Sequence, residues 1–424
     1  MSSTKGLSMT LRILVTATEE TVMTNSLAPR ALVSKRQVPL CVPKIGGNEW
    51  KYVKECLDTN WVSSAGTFVS RFEQEIATYV GARHAVATVN GTAALHVALM
   101  VAGVRTDDEV LVSSLTFVAP ANAIRYVGAW PVFIDAEPEH WQMDTQRAVE
   151  FLDRECHWKN GELVHKVTDR RVKAIIPVHI LGHPCDMAPI LEAARKYNLV
   201  VIEDATESLG ARYEREMVGH LGDIACFSFN GNKLITTGGG GMIVTDNEVW
   251  ARTAKHLTTQ AKDDPVEAIH SIIGYNYRLT NIQAALGTAQ TEKLDEYISQ
   301  KRRIAETYRA ALVDVQGLTL MWEAPWADCV YWLYTILVNE AKYGMSSRAL
   351  LRQMQLEKIE TRPLWQPLHI SSAYSDNLSY QCPVAQRLNR EAISLPSSVG
   401  LEVADQQRVI AVLRDLDQYN KRAT

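Results

Sequence analysis

Short segments that are apolar throughout alternate with helical segments from residue 48 to residue 246, and this alternation constrains the fold more than any other feature. Seven strands are predicted, at residues 85–89, 109–113, 131–135, 173–179, 199–203, 225–229 and 242–246. Helices are predicted at residues 48–59, 68–79, 92–104, 119–127, 145–154 and 187–197. Strands without a polar face indicate a sheet that helices cover on both sides. The pattern predicts the α/β class with a mostly parallel seven-stranded sheet and right-handed crossovers.

The pattern changes after residue 281. Residues 282–315 are predicted as one long helical stretch, broken in hydrophobic phase rather than by glycine or proline. A strand at 332–338 and helices at 347–357 and 404–420 follow. A chain of 424 residues suits one large domain and one smaller domain. We therefore expect a large domain at residues 37–290 and a smaller α/β domain at 291–424. Residues 1–36 lack clear periodicity and are predicted to form a poorly ordered leader.

Composition excludes several classes of partner. The formal net charge is -4, which gives no basis for binding nucleic acid or an anionic membrane. The seven cysteines are scattered singly, with no CxxC or Cys/His spacing, so we expect a reduced, cytoplasmic protein without a structural metal site. No uninterrupted apolar run is long enough to span a membrane.

One lysine lies alone on a glycine-rich loop. Lys233 follows the apolar segment at 225–229 and precedes four consecutive glycines, Gly238–Gly241. No other charged residue lies between Ala225 and Thr245. Desolvation lowers the pKa of an amine and exposes its nucleophilic form, as Schiff-base chemistry requires. On Lys233 alone, a glycine-rich hairpin whose lysine extends into solvent remains an equal alternative.

Other candidate residues follow the carboxyl ends of predicted strands, where ligands bind in open α/β sheets. Gly91 and Thr92 form a turn into a helix N-terminus, which favours an anion such as phosphate. Thr92 could equally be an ordinary N-cap, and Phe117, after the next strand, could be a core aromatic. Asp204 ends a wholly apolar strand, which packing does not explain, and a helix cap or metal carboxylate would use that position poorly.

Together these residues match the needs of pyridoxal phosphate. That cofactor requires an amine, a carboxylate for its ring nitrogen, a flat partner for its ring and donors for its phosphate. Lys233, Asp204 and Phe117 supply the first three. Ser228 and the turn at Gly91 and Thr92 suit the phosphate. The order of these elements along the chain matches the fold-type I pyridoxal phosphate enzymes.

From residue 38 to the C-terminus the chain resembles the DegT-type sugar aminotransferases, which act on nucleotide-linked keto sugars. The motifs that carry the resemblance are residues 90–95 (NGTAAL), 116–119 (TFVA), 203–210 (EDATESLG), the Lys233 loop and residues 274–278 (GYNYR). Together these motifs are highly specific.

The resemblance implies a role for each matching residue. Lys233 would form the internal aldimine and move protons, and Asp204 would pair with the ring nitrogen. Glu207 stands near the ring hydroxyl, where the family often has Gln or His. Phosphate would be bound by Gly91, Thr92, Ala93 and Ser228. In a homodimer with shared active sites, Asn276 would reach the phosphate in the neighbouring subunit. Arg278 would approach the charged groups of the substrate.

Departures from the family pattern indicate a subgroup. Residues 230–232 read Asn-Gly-Asn where many members have His in this loop, and Gly239 stands where many have Glu. This form, with residues 60–64 (NWVSS) and 361–365 (TRPLW), is similar to the enzymes that make UDP-4-amino sugars of the bacillosamine and legionaminic acid routes. The residues expected to contact the sugar nucleotide are Arg278, Trp61, Ser63, Trp365 and His369. Trp332 joins Trp61 and Trp365 in an aromatic cluster that could pack on the sugar and the base, although at least one of the three tryptophans is expected in the core.

The function that follows is amino transfer from L-glutamate to the keto carbon, C4, of a UDP-linked 2-acetamido-4-keto-6-deoxy hexose. Such a product would serve bacterial surface-glycan or nonulosonic acid biosynthesis. A sugar dehydratase of the same family would carry histidine in place of Lys233. A non-catalytic regulator would have lost Lys233 or Asp204. A dinucleotide-dependent oxidoreductase ranks last, because no G-x-G-x-x-G follows the first strand.

Overall fold

The computed structural model describes residues 36–264 and 266–423, so the leader predicted at 1–36 lies, apart from Arg36, outside the described residues. The helices are α1 (Glu49–Asp58), α2 (Thr67–Val80), α3 (Gly91–Val101), α4 (Ala119–Tyr126), α5 (Thr145–Glu155), α6 (Met187–Tyr197), α7 (Glu248–Thr258), α8 (Asn281–Thr291), α9 (Leu294–Leu312), α10 (Glu340–Tyr343), α11 (Ser347–Leu356), α12 (Pro383–Glu391) and α13 (Val403–Ala423). The strands are β1 (His84–Thr88), β2 (Glu109–Ser113), β3 (Trp130–Ile134), β4 (Cys156–Lys159), β5 (Glu162–His165), β6 (Val172–Ile176), β7 (Val200–Asp204), β8 (Arg212–Tyr213), β9 (Glu216–Met217), β10 (Ile224–Ser228), β11 (Gly241–Thr245), β12 (Leu318–Leu320), β13 (Ala327–Asp328), β14 (Tyr334–Val338), β15 (Ser379–Tyr380) and β16 (Ala392–Leu395).

The large sheet has the strand order β1-β11-β10-β7-β6-β2-β3-β15. Strands β10, β7, β6, β2, β3 and β15 pair in parallel, and β11 runs antiparallel to both of its neighbours. The predicted α/β class is confirmed. All seven predicted strands are present within a residue or a few of their expected ends. The eighth strand, Ser379–Tyr380, comes from the C-terminal part of the chain and pairs with β3.

Burial on both faces explains why the strands are apolar throughout. Along β2, Val110 and Val112 belong to the core beneath α3 and α4, whereas Leu111 belongs to the core formed with α5 and α6. This alternation follows from the two-residue period of a strand. The whole of β2 is buried as a result.

The C-terminal part builds a three-stranded antiparallel sheet in the order β12-β14-β16. The helical stretch predicted at 282–315 is two helices, because α8 ends at Thr291 and α9 begins at Leu294. Glu292, at the break, accepts a hydrogen bond from the Tyr52 hydroxyl at 2.6 Å and one from the Asn48 amide at 2.7 Å. These bonds to α1 and its N-cap residue join the break to a distant helix, and no glycine or proline marks it in the sequence.

Other features were not predicted or stay predictions. Helix α7 and the hairpin of β4 and β5 have no counterpart in the sequence interpretation. The domain boundary near residue 290 stays a prediction. No helix in residues 36–264 or 266–423 combines the length and the apolar character needed to cross a bilayer.

Candidate active site

A cavity of about 380 Å³ opens at the carboxyl ends of the parallel strands. It gathers eight of the predicted site residues: Gly91, Thr92, Phe117, Asp204, Glu207, Ser228, Lys233 and Trp365. It also contains Trp332, which the sequence analysis grouped with Trp365, and residues that the sequence did not single out for the site, among them Thr206 and Asn232. The other predicted residues lie outside this lining: Ala93, Asn276, Arg278, Trp61, Ser63 and His369.

The Lys233 side chain lies inside the cavity. Its loop leaves β10, and the Lys233 N–H donates to the Asn230 carbonyl at 3.0 Å. The amine Nζ is 3.5 Å from Glu207 Oε1 and 4.1 Å from the centroid of the Trp332 ring. Only 14% of the side chain is exposed. The alternative in which this lysine extends into solvent is therefore wrong.

Two buried carboxylates lie near this amine. Asp204 ends β7 and accepts a hydrogen bond from the Thr206 N–H at 3.2 Å. Burial raises the pKa of the Asp204 carboxyl, and the hydrogen bond from Thr206 and the charge of Lys233 oppose this rise. Burial likewise raises the pKa of Glu207, and Lys233 again opposes it. Glu207 Oε2 accepts the Leu181 N–H at 2.8 Å, which fixes the direction of this side chain.

Neighbouring Glu203 has a different role. Its side chain is fully buried, pairs with His179 at 3.1 Å and accepts the N–H groups of Gly219, Leu221 and Gly222 at 2.7–2.9 Å. Glu203 therefore stabilises the turn at residues 219–222 by accepting its N–H groups. Because successive residues of a strand point to opposite faces, Asp204, and not Glu203, faces the cavity at the end of β7.

The turn at the start of α3 presents backbone donors to the cavity. Asn90 is the N-cap, and its side chain accepts the Ala93 N–H at 2.8 Å. The Thr92 N-cap alternative is therefore wrong, and the N–H of Ala93 is already engaged. The N–H groups of Gly91 and Thr92 have no partner among the described residues. A Cβ added to Gly91 would lie 3.1 Å from the Ser228 Cβ, so the close approach of this turn to β10 favours glycine.

Arg278 lies apart from the cavity. Its guanidinium Nη1 is 2.7 Å from Glu73 Oε1, and only 10% of the arginine side chain and 8% of the glutamate side chain are exposed. The expected approach to substrate charges is not seen within one chain, because a buried carboxylate already takes this cation. Nearby Asn276 is exposed, and its backbone bridges to Thr259.

The three remaining predicted residues are held elsewhere. Trp61 is 58% exposed, and its carbonyl accepts the Asn281 amide at 2.8 Å. The Ser63 carbonyl accepts the Asn281 N–H at 2.6 Å. His369 lies between Ser114 Oγ at 2.6 Å and the Gln386 amide at 3.0 Å, and burial lowers the pKa of its imidazole. None of the three lines the cavity of its own chain.

This arrangement belongs to a known family. The DegT/DnrJ/EryC1/StrS aminotransferase family matches residues 43–414. The chain belongs to this family. Enzymes of the DegT/DnrJ/EryC1/StrS family use pyridoxal phosphate, so the protein is a pyridoxal phosphate-dependent sugar aminotransferase. The resemblance inferred from the motifs is confirmed.

Several relatives in this family share most of the chain. It is 40% identical over 380 residues to the GDP-perosamine synthase of Caulobacter vibrioides, covering 89% of this chain and 97% of that one. It is 39% identical to the GDP-perosamine synthase of Escherichia coli O157:H7, covering 91% and 99%. The crystal structure of DesI, obtained in the presence of its TDP-sugar product, superimposes with a TM-score of 0.81 at 26% identity, covering 93% and 96%.

The cavity fits the cofactor of this family. Asp204 is only 2% exposed, and its carboxylate would gain a cationic partner from a protonated ring nitrogen. Two N–H groups without partners at the start of α3 suit a phosphate. Phe117, although 55% exposed, faces the same cavity and offers a flat surface.

Proposed function

We propose that this enzyme moves an amino group from L-glutamate to C4 of a nucleotide-linked 4-keto-6-deoxy hexose. The observation that carries the proposal is the shared cavity of the Lys233 amine and the buried Asp204 carboxylate. Both groups are present in a chain that belongs to the DegT/DnrJ/EryC1/StrS aminotransferase family. A dehydratase in which histidine replaces this lysine is disfavoured for the same reason.

Each residue of the cavity would have one task toward the cofactor. Bound pyridoxal phosphate supplies an electron sink for the charge that develops when a proton leaves the amino-bearing carbon. Asp204 would hold the ring nitrogen in its protonated form, and Phe117 would cover one ring face. Lys233 would carry the cofactor covalently. The groups that would bind the phosphate are the N–H groups of Gly91 and Thr92 and the Ser228 hydroxyl.

Lys233 would also move the proton. When it is not bound to the cofactor, its Nζ would be available as a base inside a cavity that excludes most of the solvent. Glu207, 3.5 Å away, would stabilise the charge that this amine gains when it takes up the proton. Glutamate at this position gives the lysine an anionic neighbour that Gln or His would not supply.

The nucleotide of the acceptor has two candidates. Two relatives at 39–40% identity are GDP-perosamine synthases, and perosamine is a 4-amino-4,6-dideoxy sugar, which supports a GDP-linked 4-keto-6-deoxy hexose. The motifs at residues 60–64 and 361–365 support a UDP-linked 2-acetamido-4-keto-6-deoxy hexose. We favour the GDP-linked acceptor, because these relatives match 89% and 91% of the chain rather than two short segments.

A second cavity supports a large anionic acceptor. It has a volume of about 340 Å³ and shares Asn232, Trp332 and Trp365 with the first cavity, so the two are contiguous. Arg362 lines it, with a side chain that is 61% exposed and 2.7 Å from Glu360. Because Arg278 is bound to Glu73, Arg362 is the arginine to which we assign a diphosphate contact.

A single-turnover experiment tests this function. Enzyme that glutamate has loaded with amino groups is freed of glutamate and mixed with GDP-, TDP- or UDP-linked 4-keto-6-deoxy sugars, and amino-sugar products are measured by mass spectrometry. We expect the GDP-linked sugar to react fastest. Arg362→Gln should slow this step but not loading by glutamate, whereas Arg352→Gln, on α11 outside both cavities, should change neither. Loading without transfer to any nucleotide sugar would refute the proposal.

A further inference from the structure

The Trp332 residue joins the C-terminal part of the chain to the loop that carries Lys233. Its indole Nε1 donates to the Asn232 carbonyl at 2.7 Å, and Asn232 immediately precedes the lysine. The face of the same indole lies 4.1 Å from the Lys233 Nζ. One side chain therefore contacts both the backbone of the loop and the reactive amine.

A buried amine fixes the backbone of this tryptophan. Lys301, on α9, is only 1% exposed, and its Nζ donates to the Trp332 carbonyl at 2.8 Å and to the Ser397 carbonyl. Its third contact is Cys41 Sγ at 3.7 Å. No ion pair of Lys301 with a carboxylate is recorded in the described part of the chain. Burial lowers the pKa of this amine, so its retention in the core depends on these acceptors.

The amine of Lys233 has two close contacts. Glu207 attracts it from 3.5 Å, and the Trp332 ring lies 4.1 Å away. A lysine side chain has four rotatable bonds, so its direction depends on such contacts. Without the ring, the amine would lose one of these two contacts, and the attraction of the Glu207 carboxylate would be left to set its direction.

We propose that Trp332 is a positioning residue for Lys233 and that Lys301 holds Trp332 in the place where it can act. The proposal rests on the function assigned above to Lys233, the attachment of the cofactor. It adds two residues of the C-terminal part to those that serve Lys233. Trp332 acts by directing the Lys233 amine, and Lys301 acts through the Trp332 carbonyl.

The rate at which the apoenzyme binds pyridoxal phosphate covalently tests this role. The rate is followed by absorbance, and the attachment site is established by borohydride reduction and peptide mapping. Trp332→Phe keeps a ring but loses the bond to Asn232, and should slow loading by about threefold to tenfold. Trp332→Leu loses both contacts and should slow it by about thirtyfold. Trp158→Phe, in the remote hairpin of β4 and β5, is the matched control and should load at the wild-type rate.

Pyridoxine phosphate separates positioning from a general structural effect. This analogue lacks the aldehyde, so it fits the same cavity without reacting with Lys233. Its dissociation constant should stay within about twofold of wild type in both Trp332 variants, which is a small difference in binding free energy. If affinity for the analogue falls as much as the loading rate, Trp332 contacts the cofactor or supports the fold, and the positioning role is refuted.

Lys301→Met tests the second half of the proposal. It removes the amine, leaves two carbonyls without their donor, and should slow loading as much as Trp332→Phe does. The double variant Lys301→Met with Trp332→Phe should load the cofactor no more slowly than the slower of the two single variants, because the effects of coupled residues are not additive. Independent, multiplying effects would overturn the link. If Lys301→Met does not fold, the Trp332 series still decides the positioning role.

Failure of this inference differs from failure of the proposed function. If Lys233 does not carry the cofactor, the wild-type protein itself yields no labelled Lys233 peptide. If only the positioning role is wrong, wild type and Trp332→Leu both label Lys233 at the same rate.

Discussion

Replacing Arg278 by alanine should lower the free energy of unfolding of the enzyme rather than its affinity for the acceptor sugar. The arginine and Glu73 form an ion pair at 2.7 Å, with 10% and 8% of their side chains exposed. Breaking a buried pair by removing one partner costs about 3–5 kcal/mol. Glu73 keeps the Ala87 N–H at 3.0 Å and the exposed Lys255 amine at 3.6 Å. We therefore expect the lower end, about 3 kcal/mol.

Urea unfolding of the apoprotein, followed by circular dichroism, measures this loss without the stabilising effect of bound cofactor. With a slope of about 3 kcal/mol per molar urea, the midpoint should fall by about 1 M. The control is Arg83→Ala, which removes an exposed arginine directly before β1 and should leave the urea midpoint unchanged. Glu73→Gln with Arg278→Met should recover part of the loss, because the glutamine still accepts the Ala87 N–H and no charge is left buried.

The opposite pattern would refute this reasoning. Wild-type stability in Arg278→Ala, together with selective loss of the step that uses the nucleotide sugar, would mean that the arginine reaches the substrate. Arg278 does not line the cavity of its own chain, so that outcome would mean that it reaches the cavity of a neighbouring subunit. The role expected for Arg278 from the sequence motif would then be restored.

Four further predictions concern single residues. Borohydride reduction of the loaded enzyme should label Lys233, and a label on another lysine would contradict the assignment. Asp204→Asn should bind the cofactor but lose most amino transfer, because the neutral amide no longer holds the ring nitrogen protonated; near-normal turnover would assign Asp204 another task. Mixed dimers of Lys233→Ala and Asn276→Ala protomers should regain activity if sites are shared, and inactivity of proven hybrids would exclude sharing. Burial lowers the pKa of His183 to about 3, whereas its ordinary value is 6.5, so the stabilisation from keeping it neutral is present above pH 6.5 and is lost as pH falls. Between pH 7 and pH 5 the wild type should lose about 2 kcal/mol more unfolding free energy than His183→Gln, measured by urea unfolding, and equal losses would exclude His183 as the cause.

The core of the sheet could be predicted because burial on both faces leaves a local signal in the sequence. Strand β2 was placed with its observed ends, Glu109 and Ser113. The sequence showed a break in hydrophobic phase but not the residue at which α8 gives way to α9, because Glu292 at the break bonds to residues that are distant in sequence, among them Asn48 and Tyr52. Two-residue strands such as β15 carry no periodicity at all.

The site divides in the same way. Residues that end strands, such as Asp204 and Ser228, were found because their position along one strand defines their position in the sheet. Arg278 was assigned to the substrate from the family motif, because its partner Glu73, on α2, could not be paired with it from sequence. Trp332 appeared only as one of several tryptophans, since nothing local connects it to the Lys233 loop.

The strand β15 completes the large sheet with residues from near the C-terminus, so the sheet cannot be finished until most of the chain is present. Ser379 and Tyr380 cover the outer edge of β3, a strand that the first third of the chain supplies. A fragment cut near residue 290 would leave that edge bare, with a row of unpaired N–H and C=O groups open to another copy. Synthesis on the ribosome must pass through the same state, because β3 emerges long before its cover. We expect the nascent chain to be prone to aggregation until its last hundred residues have been made.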